Sequence, residues 1–340
     1  MTVAFVDSPF GLDPTEHDRG AWGASLLYNA ELVLGVLDVA GGTSVTEVGA
    51  LDGDLTRLLL LWAGRSGGQV IAIDPSPHPD LEMLAREHTE LRLVRETSHV
   101  ALARAPLSDT IILDGDHNYY TVSKELQIIA ERAAAQQRRM PLLLLHDVGW
   151  PHGRRDDYYA PEEIPAEHRQ PIVPEGGLYP GDPGTRPGAV PYHHPAAREG
   201  GPRNGVLTAV EDFLAGGEQL CLAIVPTFFG MGLIWDRTLP EAGALTELLA
   251  DWDRNPHLER LERNRVLHLA NTQLQLSAVR DAEHRLAQQS QQLERQRQLL
   301  ERMLHSRVFW MAEQILRLRH RDPPFSRDAI RRVLEGRDQE

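Results

Sequence analysis

The chain is 340 residues long, carries a formal net charge of -14 and holds a single cysteine, Cys221. That acidity excludes a nucleic-acid surface, which needs a basic face to displace counterions. One cysteine excludes an internal disulfide and a cysteine-built zinc site. The opening MTVAFVDSPFGLDP lacks the basic-then-apolar pattern of a secretion signal, and apolar runs such as Leu58 to Ala63 are too short to span a bilayer. The expectation is a cytoplasmic protein without an integral membrane segment.

From Ser44 to Trp150 short apolar segments alternate with helical patterns. Ser44–Val48, Gln69–Ile73, Leu91–Val94, Thr110–Leu113 and Leu142–Leu145 read as strands. Helices are predicted at Leu55–Gly64, near Leu81–His88 and at Thr121–Arg138. Continuous apolar strands separated by helices predict a parallel sheet covered on both faces. The stretch from Pro151 to Arg203 breaks this rhythm. It is dense in Pro, Gly, His and Tyr without periodicity, as expected of a lid or a disordered segment. Regularity returns with a helix at Asn204–Leu214 and two strands, Leu220–Pro226 and Met231–Asp236, joined by the hairpin-sized Thr227–Gly230. The whole reads as an α/β fold with a doubly wound, mostly parallel seven-stranded sheet over residues 1–240, carrying an insert at 150–203.

Residues 241–340 turn to Leu, Glu, Gln and Arg. Val279, Leu286, Leu293 and Leu300 recur every seventh residue, with Ala282 and Met303 between them, while Gln289 and Gln296 weaken the seam. Leu267 and Leu274 keep the spacing but not the register, as in a stutter. A coiled coil that makes a homo-oligomer and a helix folded back on the catalytic domain both fit. Phe309, Trp310, Ile315 and Leu316 precede Arg317, Arg319 and Arg321, a cluster suited to docking on a partner subunit.

The first strand runs through Glu47-Val48-Gly49-Ala50-Leu51-Asp52-Gly53 into a helix. Glycines at such a turn permit tight geometry and close backbone approach to a ligand. No Lys-Ser/Thr follows, so this is not a P-loop, and the spacing differs from the dinucleotide G-x-G-x-x-G. Asp74 ends the next strand, where a carboxylate accepts from both ribose hydroxyls of an adenosine. A plain turn glycine and a helix-capping aspartate are the alternatives, but the pair in this order points to an adenosyl cofactor.

Glu47 to Gly53 resembles motif I of class I S-adenosylmethionine (SAM) dependent methyltransferases, with Leu51 where a middle glycine is usual. Asp74 matches their acidic residue after the second strand. Ile112-Leu113-Asp114-Gly115-Asp116-His117-Asn118-Tyr119 is similar to the D-G-D-H-x-Y signature of the macrocin O-methyltransferase-like and cephalosporin-hydroxylase-like subgroup. The closing hairpin fits that Rossmann-like fold, and the resemblance covers roughly Leu26 to Arg237. It implies that Glu47 and Gly49, with Ala50 and Gly53, lie by the methionine part of the cofactor. Asp74 would take the ribose, Glu96 to Ser98 the adenine, and Asp114 the reacting end.

Asp114 at the end of the fourth strand and His146-Asp147 at the end of the fifth converge on the carboxyl edge, where open α/β sheets bind ligands. Two carboxylates and an imidazole suit a divalent ion, and the imidazole favours manganese or iron over magnesium. The resemblance implies metal ligands at these strand ends. His117, whose ordinary pKa lies near neutrality, is the candidate general base, with His146 as the runner-up. The insert begins at the same edge and offers Arg154, Arg155, Tyr158, Tyr159, His193, His194 and Arg203 to a substrate. The resemblance implies O-methylation of a sugar or glycosylated natural product. A carboxylate or amine acceptor read by the two arginines is an alternative, and a non-catalytic scaffold built on the tail is another.

Overall fold

The computed structural model describes residues 25–192, 194–217, 219–319 and 326–336. The opening segment read above for a secretion signal, His193 and Arg321 lie outside them. Seven strands form one sheet: β1 (Ser44–Val48), β2 (Gln69–Ile73), β3 (Leu91–Val94), β4 (Thr110–Leu113), β5 (Leu142–Leu145), β8 (Leu220–Val225) and β9 (Met231–Asp236). Their order is β3-β2-β1-β4-β5-β9-β8. The first five are parallel, and β9 inserts antiparallel between β5 and β8. The doubly wound, mostly parallel sheet of the sequence reading is therefore the fold.

Side-chain alternation along these strands builds two cores. Val45, Val70, Ala72, Ile112 and Leu144 face α1 (Ala30–Ala40), α2 (Asp54–Ser66), α3 (Pro79–Glu87) and α7 (Ala242–Leu249). Ile71, Ile73, Ile111, Leu113, Leu143 and Leu145 face α4 (Ser98–Arg104), α5 (Tyr119–Ala135) and α6 (Val206–Leu214). Every residue of β4 and β5 is buried, which is why these segments read as unbroken apolar runs.

The strand ends are flush. In register, Val48 pairs with Ile73 and with Leu113, and Leu113 pairs with Leu145. The ladder runs one residue further, since the amides of Asp74, Gly49, Asp114 and His146 donate to Val94, Ile73, Val48 and Leu113 at 2.9–3.0 Å. Asp74, Gly49, Asp114 and His146 consequently stand in one row across four neighbouring strands.

The insert between β5 and α6 is folded. It forms a two-stranded antiparallel sheet, β6 (Gly176–Leu178) with β7 (Val190–Tyr192), and short 3-10 turns. Tyr158, Ile164, Leu178 and Val190 are buried in it.

The chain divides into two compact units between Leu274 and Gln275. The boundary expected at 240/241 falls inside the first unit, because Leu245 and Leu249 of α7 join the sheet's core. α8 (Pro256–His305) begins in that unit. The second holds the rest of α8, α9 (Arg307–Leu318) and α10 (Arg327–Leu334), the last two capped by Ser306 and Ser326. Val279, Leu286 and Leu293 are exposed. Among the described residues no helix is long and apolar enough to cross a membrane.

If α7 belongs to the sheet domain, Leu245→Ala lowers the stability of that domain by about 2–5 kcal/mol, the cost of emptying a fully buried leucine site. Urea unfolding of the full chain checks this, and an unchanged midpoint contradicts it.

Candidate functional site

The row of strand ends is held from both sides. A Cβ added to Gly49, whose φ is +83°, would collide with the carbonyl of Asp114, so the loops after β1 and β4 touch backbone to backbone. On the other side Asp74 Oδ2 accepts from the Leu51 amide and Oδ1 from the Ser76 amide, both at 2.8 Å. The glycine-bearing turn and Asp74 are thus adjacent, and each carboxylate oxygen retains a second lone pair for a further donor.

Glu47 lies beneath this turn and is buried, its Oε2 accepting from Thr56. Burial pushes its carboxyl up to about 8 despite that bond, and Asp114 and Asp74 add to the rise. Burial thus favours its neutral form. Gly53 starts α2 in the left-handed region (φ +86°), and Ala50 is buried beside it. Ser98 opens α4 after β3, half-buried, and its side chain bonds to buried Glu125. Glu96 pairs with Arg104.

Four chemically active groups meet past β4 and β5. His146 Nδ1 lies 3.1 Å from Asp114 Oδ1 and 3.3 Å from Asp147 Oδ2. His146 Nε2 faces the Phe228 carbonyl at 2.9 Å, an atom that only accepts. With carboxylates on one nitrogen and a carbonyl on the other, this setting favours the doubly protonated ring. Burial opposes that charge, but Asp147 and Asp114 outweigh it and hold the His146 pKa well above the ordinary value. Asp147, at φ +58°, is also 3.3 Å from His117 Nδ1 through Oδ2. Burial works against its ionisation, yet His146 and His117 reverse this and keep it ionised below the usual carboxylate range. Ligand atoms of Asp114, His146 and Asp147 all lie within 4.8 Å of one another. The Nε2–H bond to Phe228 is the outer contact that would leave Nδ1 free to ligate an ion.

The D-G-D-H segment divides its work. Asn118 caps α5 through its Oδ1 on the Thr121 amide, and Asp116 accepts from Asn118, Thr121 and the Tyr159 amide. His117 is left with a partly exposed ring against Asp147, and Tyr159 stands exposed with its ring 5.7 Å away.

Four of the insert residues offered to a substrate, Arg154, Arg155, Tyr158 and His194, make internal contacts. Arg155 is 1% exposed, and its guanidinium donates to the carbonyls of Asp182, Pro183, Gly184 and Ala196. Arg154 is clamped in a two-bond pair with Glu211 on α6, at 2.6 and 2.7 Å. Tyr158 is buried, donating to Asp156 Oδ2 and accepting from the Gln170 amide. Asp156 is the hub of this region, its Oδ1 accepting from the Tyr119 and Gly205 amides at 2.7 Å. His194 bonds to the Tyr158 carbonyl, and Arg203 lies among exposed residues at the end of the insert.

Sequence reasoning gave no role to three groups at the site. The Phe228 carbonyl sits on the β8–β9 turn, braced by Glu262 of α8 on the Phe229 amide and by Arg265 over both phenyl rings. His152 lies stacked on His117, and Glu125 lines a small cavity with Asp114, His117 and His146. Only His152 carried a signal, its place five residues past Asp147. A roomier groove of about 710 Å³, between Gly41–Thr43, Asp109 and Arg138–Leu142, opens at the amino edge of the sheet, away from all these groups.

No protein-family model matches the sequence, and no curated protein does either. Solved structures with a similar course include an S-adenosylhomocysteine-bound methyltransferase from Podospora anserina (13% identity, 66% of this chain and 83% of that one, TM-score 0.40). Two others are 1,6-didemethyltoxoflavin-N1-methyltransferase from Burkholderia thailandensis (14%, 63% and 78%, 0.35) and a methyltransferase from Geobacter sulfurreducens (12%, 61% and 78%, 0.34). A likeness this distant assigns neither ligand nor reaction.

Glu47 makes a pH prediction. Its folded pKa of about 8 exceeds an unfolded value of about 4.3, so the folded state holds a proton that the unfolded chain has released. Stability from this group is complete at low pH and is lost as pH rises towards 8. The thermal midpoint of Glu47→Gln, which mimics the neutral acid, should fall less between about pH 5 and about pH 8 than that of the wild type. Parallel pH profiles contradict the assignment.

Proposed function

We propose that the chain is a cytoplasmic SAM-dependent methyltransferase acting on a hydroxyl group. The flush row Asp74–Gly49–Asp114–His146 carries this reading, because it lines up an adenosine-type carboxylate, a close-approach turn and an acid–imidazole cluster along the ligand-binding edge. In it Asp74 takes the ribose with its remaining lone pairs, Gly49, Ala50 and Gly53 give the backbone its close approach, and Ser98 borders the adenine. Neutral Glu47 can donate or accept without adding charge beside a sulfonium. When bound, SAM supplies the methyl group and departs as S-adenosylhomocysteine.

His117 is the general base in this reading. Its Nδ1 lies 3.3 Å from Asp147 Oδ2, a carboxylate neighbour that favours the Nδ1–H tautomer and leaves the Nε2 lone pair for the acceptor's proton. Asp147 acts by orienting the ring, as a carboxylate does behind any catalytic imidazole. Asp114, His146 and Asp147 fit a divalent ion, manganese or iron better than magnesium, which would lower the pKa of an acceptor hydroxyl when bound. The D-G-D-H-x-Y resemblance favours a sugar or glycosylated natural product as acceptor, with exposed Tyr159 beside His117 as a stacking surface for a sugar face. A carboxylate or amine acceptor read by Arg154 and Arg155 loses support, since Glu211 and backbone carbonyls occupy those guanidinium groups. The exposed heptad residues Val279, Leu286 and Leu293 support assembly into a homo-oligomer through the tail.

Calorimetric titration with SAM tests the reading: the wild type binds, and Asp74→Ala binds at least about tenfold more weakly. His117→Ala keeps SAM binding and loses about 10²–10⁴ in transfer to a hydroxyl acceptor. Absence of any SAM binding by the wild type sinks the proposal.

A further inference from the structure

His152 is the group that methyl transfer does not use. It lies in the turn after β5, is 5% exposed, and its Nδ1 has no hydrogen-bond partner among the described residues. Leaving such an atom without a partner costs free energy, so its surroundings call for one. Its ring stacks on His117, with centroids 4.6 Å apart and planes 24° from parallel. Both rings border Asp147, and one ligand atom from each of His117, Asp147 and His152 falls within 4.8 Å of the others.

The position is built. His152's carbonyl accepts from the Val206 amide of α6 at 2.8 Å, and His117's carbonyl accepts from the Asp157 amide of the insert at 3.0 Å, so both backbones are fixed. Tyr192 of β7 stands edge-on to His152 at 5.2 Å, and Tyr159 flanks His117. Aromatic walls around two imidazoles and one ionised carboxylate make a partly dry site in which a cation offsets the buried charge of Asp147.

We propose that His117, Asp147 and His152 bind a first-row divalent transition ion of borderline softness, such as zinc or cobalt(II). Two imidazoles to one carboxylate suit such ions, whereas magnesium takes oxygen ligands almost exclusively. This set differs from Asp114, His146 and Asp147 and shares only Asp147 with it. The inference does not rest on the methyl-transfer reading. Should that reading hold, an ion on His117 Nδ1 withdraws the ring from proton transfer, so the loaded chain is the inactive one.

The test is a titration of the chelator-treated full-length chain with cobalt(II), followed by visible d–d absorption, and with zinc by calorimetry. The wild type is expected to bind both in the presence of excess magnesium. His152→Gln and His117→Gln each weaken binding at least about tenfold. Circular dichroism establishes that each variant is folded. His117, partly exposed, serves for the comparison if the buried His152 variant is not. No binding by the wild type, or binding that neither histidine variant weakens, overturns the assignment. SAM binding is measured separately, so failure of one proposal is not mistaken for failure of the other.

Discussion

Everything at this site follows from one constraint: four parallel strands end at the same level, and the main-chain ladder continues one residue beyond them. Strands about 4.8 Å apart then set Asp74, Gly49, Asp114 and His146 side by side without help from any side chain. Gly49 lets the β1 and β4 loops meet at a distance no Cβ would tolerate. The crowding has an electrostatic consequence, since Glu47, Asp74, Asp114 and Asp147 gather within a few residues of that row. The molecule resolves it in three ways. Glu47 keeps its proton, Asp74 is satisfied by two backbone amides, and Asp114 and Asp147 share the imidazoles of His146 and His117.

The insert takes part in the same arrangement. Asp156 reaches from it to the first amide of α5 and to the residue that precedes α6, tying the β4 loop, the β5 loop and α6 together. Arg155 then gathers the far arm of the insert by its carbonyls. Burying a guanidinium and a carboxylate would be costly unpaired, but here hydrogen bonds from fixed backbone groups compensate each of them. An Asp–Arg pair is not what holds the segment. Carbonyls surround the Arg155 guanidinium, while two backbone amides and the Tyr158 hydroxyl satisfy Asp156.

The sheet was legible because β4 and β5 are buried on both faces and read as unbroken apolar runs, and because β8 and β9 flank a short turn. The row was legible too, since a residue after each strand end is a position countable in the sequence. The insert's order was not. It rests on Arg155 and Asp156 contacts spanning 27 to 49 residues, with carbonyls and amides that leave no periodic trace. The Phe228 carbonyl was invisible for the same reason, being a backbone atom on the β8–β9 turn. α7 was read with the tail because composition changes near residue 241, yet composition says nothing of where Leu245 packs. The heptad pattern of α8 was visible in Val279, Leu286 and Leu293, and these side chains are exposed in the single chain.

In the proposed methyltransferase an adenosyl cofactor would lie against the turn at residues 47–53 and Asp74, with its sulfur towards the loop at 114–117. A crystal structure of the full chain with S-adenosylhomocysteine bound measures this directly. The account predicts ribose hydroxyls on Asp74 and the sulfur on the side of Asp114 and His117. Ligand found in the groove at the amino edge of the sheet, between Gly41 and Pro141, would contradict it.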